Sequence, residues 1–422
     1  MRRRLAGGES LGMEFIEQGL RSALHRDGAA MLADLLKDAR HQGPPEECRP
    51  GEKRYRRRAK AVETLLGVII LERDYFCVPG AGQGRAPLDE RLGLIEGYSP
   101  ALARIMVRIA AQQSFQAAQG DLKAYADVEV EGRAIARMAN RLACGMQSAR
   151  SLARKPSQAP APVPILYVEA DGTGVPVRRS EAVGHKAKGG EGDAKTREVK
   201  LGCVFTQSVT DEEGHPLRDP DSTTYVASFG HATDFGGLLR REAFARGMAA
   251  AAQMVFIGDG AAWVWELARI NFPQATCILD FYHAAEHLGT LADSLYGADT
   301  RKSKSRGSRW RKLLKEDRIE AIISRAKADL PLEAAPRQAA EKQLAYFEKN
   351  RERMLYATFR AKGFFIGSGI VEAGCKTVVG KRVKNSGMFW TVDGAQNILT
   401  LRTALLGNHF DADWDARSQA AA

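Results

Sequence analysis

An α/β fold preceded by a mainly helical N-terminal region is the class this sequence predicts, on three observations. Two short apolar runs, Leu166-Tyr167-Val168-Glu169-Ala170 and Val255-Phe256-Ile257, have the make-up of buried strands, and an aspartate followed by glycine comes just after each. Helix and strand patterns alternate over residues 165–296, whereas 10–41, 101–118 and 131–148 show helical spacing alone. Between the two regimes lies an Ala/Pro-rich stretch with Pro156, Pro160, Pro162 and Pro164.

At 422 residues the chain exceeds the size at which one hydrophobic core stops growing, so several domains are expected. The boundaries read as an N-terminal region 1–150, a linker 151–164, a second domain 165–407 with a helical insertion at 297–365, and a tail 408–422. In the first helix Phe15, Leu20, Leu24, Met31, Leu32, Leu35 and Leu36 recur at helical spacing up to Gly43-Pro44-Pro45, where proline stops it. Lys53, Arg54, Arg56, Arg57, Arg58 and Lys60 follow, and Leu65–Val78 reads as two short strands, together a small basic β-module. The helices at 101–118 and 131–148 enclose a third short one, a pattern that suits a helix-turn-helix. Phe115, Ala118, Leu122 and Ala126 would face its core, while Arg133, Arg137 and Arg141 line the following helix; a plain bundle with a solvated arginine face fits equally.

Past the linker, Ile165–Ala170 reads as a strand ending on Asp171, with further strands at Val199–Gln207 and Thr223–Phe229 around a turn at 210–222. Then come a helix at 235–252, a strand at Met254–Ile257, a helix at Ala261–Asn271, a strand at Cys277–Leu279 and a helix at 281–296. Three antiparallel strands followed by alternating helices and parallel strands describe an RNase H-like arrangement. The insertion opens with Arg301, Lys302, Lys304, Arg306, Arg309, Arg311, Lys312 and Lys315, with no acid among them and Trp310 inside the run. So one-sided a charge with an aromatic within it points to phosphate contact.

Composition narrows the function classes. Hydrophobic residues at 44% and charged ones at 27% are those of an ordinary globular protein. No stretch reaches the roughly 18–20 apolar residues of a membrane span, and Met1-Arg2-Arg3-Arg4 leads into Gly7, Gly8 and Glu9 instead of an apolar signal core. A cytoplasmic, nucleoid-associated protein with no membrane partner is expected. Six cysteines (Cys48, Cys77, Cys144, Cys203, Cys277, Cys375) without a CxxC pair speak for reduced thiols rather than a disulfide framework or a four-cysteine zinc site. A net charge of +11 favours a polyanion, and nucleic acid fits best.

Asp171 and Asp259 lie at the ends of apolar strands, where a sheet presents functional groups, with glycines beside them that leave room for a metal and a phosphate. Phosphodiester chemistry needs hard oxygen ligands for two magnesium ions, and carboxylates supply them. A third acid should come from a late helix, and Gly367-Ser368-Gly369-Ile370-Val371-Glu372 offers Glu372, with Lys376 one turn further on the same face.

With these runs, the sequence resembles the DDE transposases of the Kra-type bacterial insertion sequences, relatives of the Mutator-like group. The resemblance rests on Val168-Glu169-Ala170-Asp171-Gly172-Thr173-Gly174-Val175-Pro176, Gly258-Asp259-Gly260-Ala261-Ala262-Trp263, Asp280-Phe281-Tyr282-His283-Ala284-Ala285-Glu286-His287-Leu288 and the Glu372 run. Pro87-Leu88-Asp89-Glu90-Arg91-Leu92-Gly93-Leu94 and Met388-Phe389-Trp390 extend it over residues 55–407. It implies Asp171, Asp259 and Glu372 as a catalytic, metal-binding triad for two Mg2+ or Mn2+ ions, with Asp280 and His283 supporting the site. It also implies double-stranded DNA as partner, both the element's terminal inverted repeats and the target, handled by a homo-oligomer. Arg133, Arg137, Arg306, Arg309, Arg311, Lys312 and Lys376 are the expected DNA contacts. Where members often place a CxxC pair this chain has Phe76-Cys77-Val78-Pro79-Gly80, which departs from a zinc-bound N-terminal module.

Three readings compete. His283-Ala284-Ala285-Glu286-His287 matches the H-x-x-E-H pattern of inverted zinc metalloproteases. Asp171-Gly172-Thr173-Gly174 resembles the phosphate loop of actin-like ATPases and sugar kinases. A DNA-binding protein descended from an inactive transposase would need none of the acids, yet all three are present.

Overall fold

The computed structural model describes residues 12–43, 46–80, 84–153, 163–185 and 194–420. It is mixed α/β and divides into two compact units, one of Met1–Gly145 with Arg417–Ala422, the other of Met146–Ala416. Much of the Pro-rich linker, including Pro156, Pro160 and Pro162, lies outside the described residues. No helix among the described residues is long and apolar enough to cross a membrane.

The first unit opens with α1 (Met13–Leu35) and the short α2 (Ala39–Gln42). A three-stranded antiparallel sheet follows, made of β1 (Lys53–Thr64), β2 (Gly67–Cys77) and β3 (Gly84–Arg85). The basic run is thus itself a strand, and the expected two short strands at Leu65–Val78 are one long partner to it. Period-two alternation is masked in β1 because its cations are held by side chains across the sheet: Arg57 pairs with Glu72 at 3.2 Å, and Arg58 lies over the Tyr75 ring at 4.9 Å. Ala29 of α1, Val62, Ile69, Leu71 and Leu88 form a small buried core. After α3 (Pro87–Arg91) come α4 (Pro100–Gln112), α5 (Phe115–Ala126) and α6 (Gly132–Ala153), with Ser99 and Ser114 capping α4 and α5. Ala118 and Leu122 are buried, as the helical spacing predicts, while Phe115 and Ala126 are half-buried.

The second unit is built on a five-stranded mixed sheet of β4 (Val163–Pro176), β5 (Thr196–Gln207), β8 (Thr224–Ser228), β9 (Ala251–Gly258) and β10 (Thr276–Leu279). Its order is β10-β9-β4-β5-β8; β4, β5 and β8 run antiparallel in sequence, and β9 and β10 lie parallel to β4. The central strands read as unbroken apolar runs because both of their faces are covered. The short α7 (Arg179–Ala182) and a small hairpin, β6 (Val209–Thr210) with β7 (Pro216–Leu217), interrupt the antiparallel part; the hairpin occupies the expected turn. α8 (Ala232–Ala245) packs on β5 and β8, then α9 (Ala262–Asn271) and α10 (Phe281–Tyr296) connect and follow the parallel strands. The expected helix at 235–252 ends early, since Gly247 takes a φ of +97° and β9 begins at Ala251.

The insertion is helical: α11 (Arg301–Lys315), α12 (Ile319–Ala328), α13 (Ala334–Asn350) and α14 (Tyr356–Ala361). The chain closes with α15 (Gly369–Gly374), a π-helical turn over Cys375–Gly380, α16 (Lys381–Val383), α17 (Val392–Leu406) and α18 (Phe410–Ala420).

Candidate active site

Asp171 does not end its strand. β4 runs on to Pro176, paired with β5 throughout, whereas its parallel neighbour β9 stops at the Ala170–Gly258 pair. Asp171 therefore sits where the sheet forks, and the backbone edge that β9 covered becomes free one residue earlier. This unbroken pairing of Gly172, Thr173 and Gly174 also leaves no phosphate loop after the strand, against the ATPase and sugar-kinase reading.

The Asp171 carboxylate accepts the Gly172 N–H at 2.6 Å and the Cys375 thiol at 3.4 Å. Burial pushes its pKa above the ordinary carboxylate value; these hydrogen bonds and nearby His283 oppose the rise, and the charge of Asp259 adds to it. Asp259 follows β9 and turns the chain into α9, its carboxylate accepting from the Ala261 N–H at 3.0 Å. The next residue must be glycine: Gly260 has a φ of +98°, and a Cβ there would meet the Tyr346 hydroxyl oxygen at 2.6 Å. That same hydroxyl donates to the Asp259 carbonyl at 3.2 Å.

Glu372 comes from α15, half-buried, with the Ser368 hydroxyl 3.3 Å from its carboxylate. Its helix lies close on the sheet, for a Cβ on Gly374 would come within 3.0 Å of Leu201 and 2.9 Å of Tyr225. Cys375 links the acids: its thiol donates to Asp171 and is held well above the ordinary thiol range, first by burial, then by the charges of Asp171 and Glu372. The structure thus brings the three acids to one end of the sheet, and no salt bridge to any of them exists among the described residues. In kind, these uncompensated oxygen donors fit a hard divalent cation. In arrangement they stop short of a cage, since no group of three or more His, Cys, Asp or Glu side chains among the described residues is placed to hold a metal ion.

Asp280 is fully buried and works in two directions. One carboxylate oxygen caps α10, accepting from the N–H groups of Tyr282 at 2.6 Å and His283 at 3.1 Å. The other accepts from the Ser368 N–H at 2.7 Å and from its hydroxyl, tying down the residue from which α15 starts. His283 is 38% exposed and lies 3.9 Å from Glu286. His287 bonds Gln343 at 2.6 Å and stacks on Tyr346 at 3.8 Å between ring centres, so the two histidines of the H-x-x-E-H run are engaged separately.

Glu169 is a further buried acid of this region that the sequence reads only as strand interior. It points to the same face of β4 as Asp171, two residues away, and a period of two was the available signal. Fully buried, it accepts the Val371 N–H at 2.7 Å and the Cys203 thiol at 3.7 Å, and its second oxygen has no hydrogen-bond partner. Burial pushes its pKa up to about 8, opposed by the Val371 N–H and reinforced by the charge of Asp280.

The expected DNA contacts fall in separate places. In the first unit Arg133 and Arg137 are exposed on α6, but Arg137 is 3.6 Å from Glu96, which partly offsets its charge. In the second unit Arg309, Arg311 and Lys312 are exposed on α11, and Arg306 is half-buried over the Tyr296 ring. Trp310 is 1% exposed and belongs to the core, so it is not a stacking platform within the run. Lys376 is exposed on the π-helical turn, where the wider winding alters the i to i+4 relation with Glu372.

No protein-family model matches the chain, and no curated protein does. Among solved structures it is similar to the Drosophila P element transposase strand transfer complex, with 9% identity over 74% of this chain and 79% of that chain and a TM-score of 0.26. A superposition that loose carries no functional information.

Proposed function

We propose that the chain is a DNA transposase that cleaves and joins DNA on an RNase H-like catalytic domain. The observation that carries this reading is the approach of Asp171 to Asp259 on one side and, through Cys375, to Glu372 on the other, acids far apart in sequence, with no salt bridge to any of them among the described residues. The order of the sheet, three antiparallel strands and then two parallel ones, supports the RNase H-like assignment. The motifs shared with Kra-type transposases support the narrower family.

In this reading Asp171, Asp259 and Glu372 hold two magnesium or manganese ions. Such ions, when bound, activate the attacking oxygen and stabilise the leaving one. The remaining work belongs to the chain. Cys375 and the Gly172 N–H orient the Asp171 carboxylate, and the Ala261 N–H orients that of Asp259. Asp280 fixes the start of the helix that presents Glu372, and Glu169 grips its Val371 N–H. The exposed arginines of α6 and α11 and Lys376 would contact phosphates of the terminal repeats and target, with the protein acting as a homo-oligomer on DNA.

The test is cleavage and strand transfer on the element's own flanking DNA in magnesium or manganese. Asp171→Asn, Asp259→Asn and Glu372→Gln keep shape but remove charge, so each should abolish both reactions while duplex binding survives. Full cleavage by the Glu372→Gln protein would remove that residue from the triad.

A further inference from the structure

We propose that a cleft starting at Gly172, on the sheet face opposite the Asp171 side chain, holds an unpaired stretch of DNA strand, with Phe389 stacking on a base and Arg178, Arg179 and Lys195 meeting its phosphates; this rests on the transposase reading. The cleft lies on the face of β4 that Gly172 and Gly174 present, opposite to the face that carries the Asp171 side chain, and runs between the start of β5, the β8–α8 turn and Trp263 of α9. Its volume, about 1730 Å³, exceeds the roughly 300–1,000 Å³ of a small-molecule site and suits a segment of polymer. Among its lining residues five lysines and arginines (178, 179, 195, 197 and 200) face one acid, Glu198. Arg178, Arg179 and Lys195 are exposed and have no salt bridge among the described residues.

Phe389 gives the cleft its selectivity. It is 64% exposed, although both of its chain neighbours are at least half-buried. Trp390 is pinned: its N–H donates to the Pro176 carbonyl at 3.3 Å, its carbonyl accepts from Arg178 at 2.8 Å, and its indole donates to Val383 at 3.1 Å. The anchored segment therefore holds a large aromatic ring in solvent at the mouth of a cationic cleft. Trp263 supplies a second aromatic surface inside, with the Lys200 ammonium 5.6 Å from its ring centre. Interleaved cations and aromatic rings bind nucleic acid whose bases are unstacked, because only an unpaired base offers its face. A duplex keeps those faces covered.

The experiment measures binding of the full chain, carrying Asp171→Asn to prevent cleavage, to a fluorescent oligothymidylate of about twelve nucleotides and to a duplex, without divalent metal. Phe389→Ala should weaken single-strand binding roughly fivefold to a hundredfold and leave duplex binding unchanged. Phe389→Tyr, which keeps the ring, should restore it. Replacing Arg178, Arg179 and Lys195 by alanine should flatten the salt dependence by roughly 0.7 log units for each phosphate no longer neutralised. Equal single-strand affinity for wild type and Phe389→Ala would overturn the proposal, as would a parallel loss of duplex binding, or tighter binding of an acidic peptide or oligoribonucleotide than of the DNA strand. Because this readout needs neither metal nor turnover, it stands apart from failure of the cleavage test.

Discussion

Glu169 ties the strand that carries Asp171 to the helix that carries Glu372, through a single carboxyl group in the fully buried layer beneath the site. Its pKa of about 8 in the fold, against the ordinary 4.5, has a definite consequence for stability. Between those values the native chain holds a proton that the unfolded chain releases. The stabilisation is fully present below about 4.5 and is lost as pH rises through about 8. Urea titrations of the metal-free protein should therefore show a fall in stability across that window that is larger in wild type than in Glu169→Gln, which keeps an acceptor for Val371 but cannot ionise. Glu169→Ala, which leaves that N–H unpaired, should cost about 1–3 kcal/mol. Identical pH profiles for wild type and Glu169→Gln would show that the acid is not held neutral. Asp171 and Asp259 were legible in the sequence because an apolar run leads to an aspartate with glycine after it. Glu169 and Ser368 were not, since the first reads as strand interior and the second acts only through a long-range bond to Asp280.

α11 is cationic on nearly its whole circumference, apart from a stripe of Ser303, Trp310 and Leu314 that is buried. Because Trp310 anchors the helix inward, Arg309, Arg311 and Lys312 project as exposed point charges, which on the proposed reading would meet phosphate without a base platform among them. Replacing Arg306, Arg309, Arg311 and Lys312 together by glutamine should lower affinity for all duplex sequences alike and reduce the salt slope by roughly 0.9 for each phosphate that no longer meets a cation. Gel-shift titrations on the element's ends and on unrelated duplex check this, and a defect confined to the ends would mean that α11 reads sequence. The helical spacing revealed that 101–148 is helical, but the expected helix at 101–118 crosses the break at Gln113 and Ser114, where α4 ends and Ser114 caps α5. β1 stayed hidden, since its cations are satisfied by Asp74, Glu72 and Tyr75 across the sheet, and sequence spacing alone shows none of these partners. The extension of β4 past Asp171 was hidden for the same reason, as its support comes from β5.

At the scale of the whole molecule, a chain of net charge +11 concentrates at one end of its central sheet three carboxylates that have no salt bridge among the described residues. Like charges gathered in a partly buried place repel unless a cation joins them. The described side chains do not form a finished cage, so on the proposed reading a cation would have to draw the acids together, with DNA phosphate as a fitting additional ligand. Electron paramagnetic resonance titration of Mn2+ into the full chain, with and without a duplex of the element's end, tests this most directly. Protein-bound manganese should tighten with DNA and approach two ions per chain, be weakened at least about tenfold by each of Asp171→Asn, Asp259→Asn and Glu372→Gln, and be largely retained by His283→Ala. Manganese bound as tightly by all three carboxylate variants as by wild type, or lost only with His283→Ala, would contradict that reading.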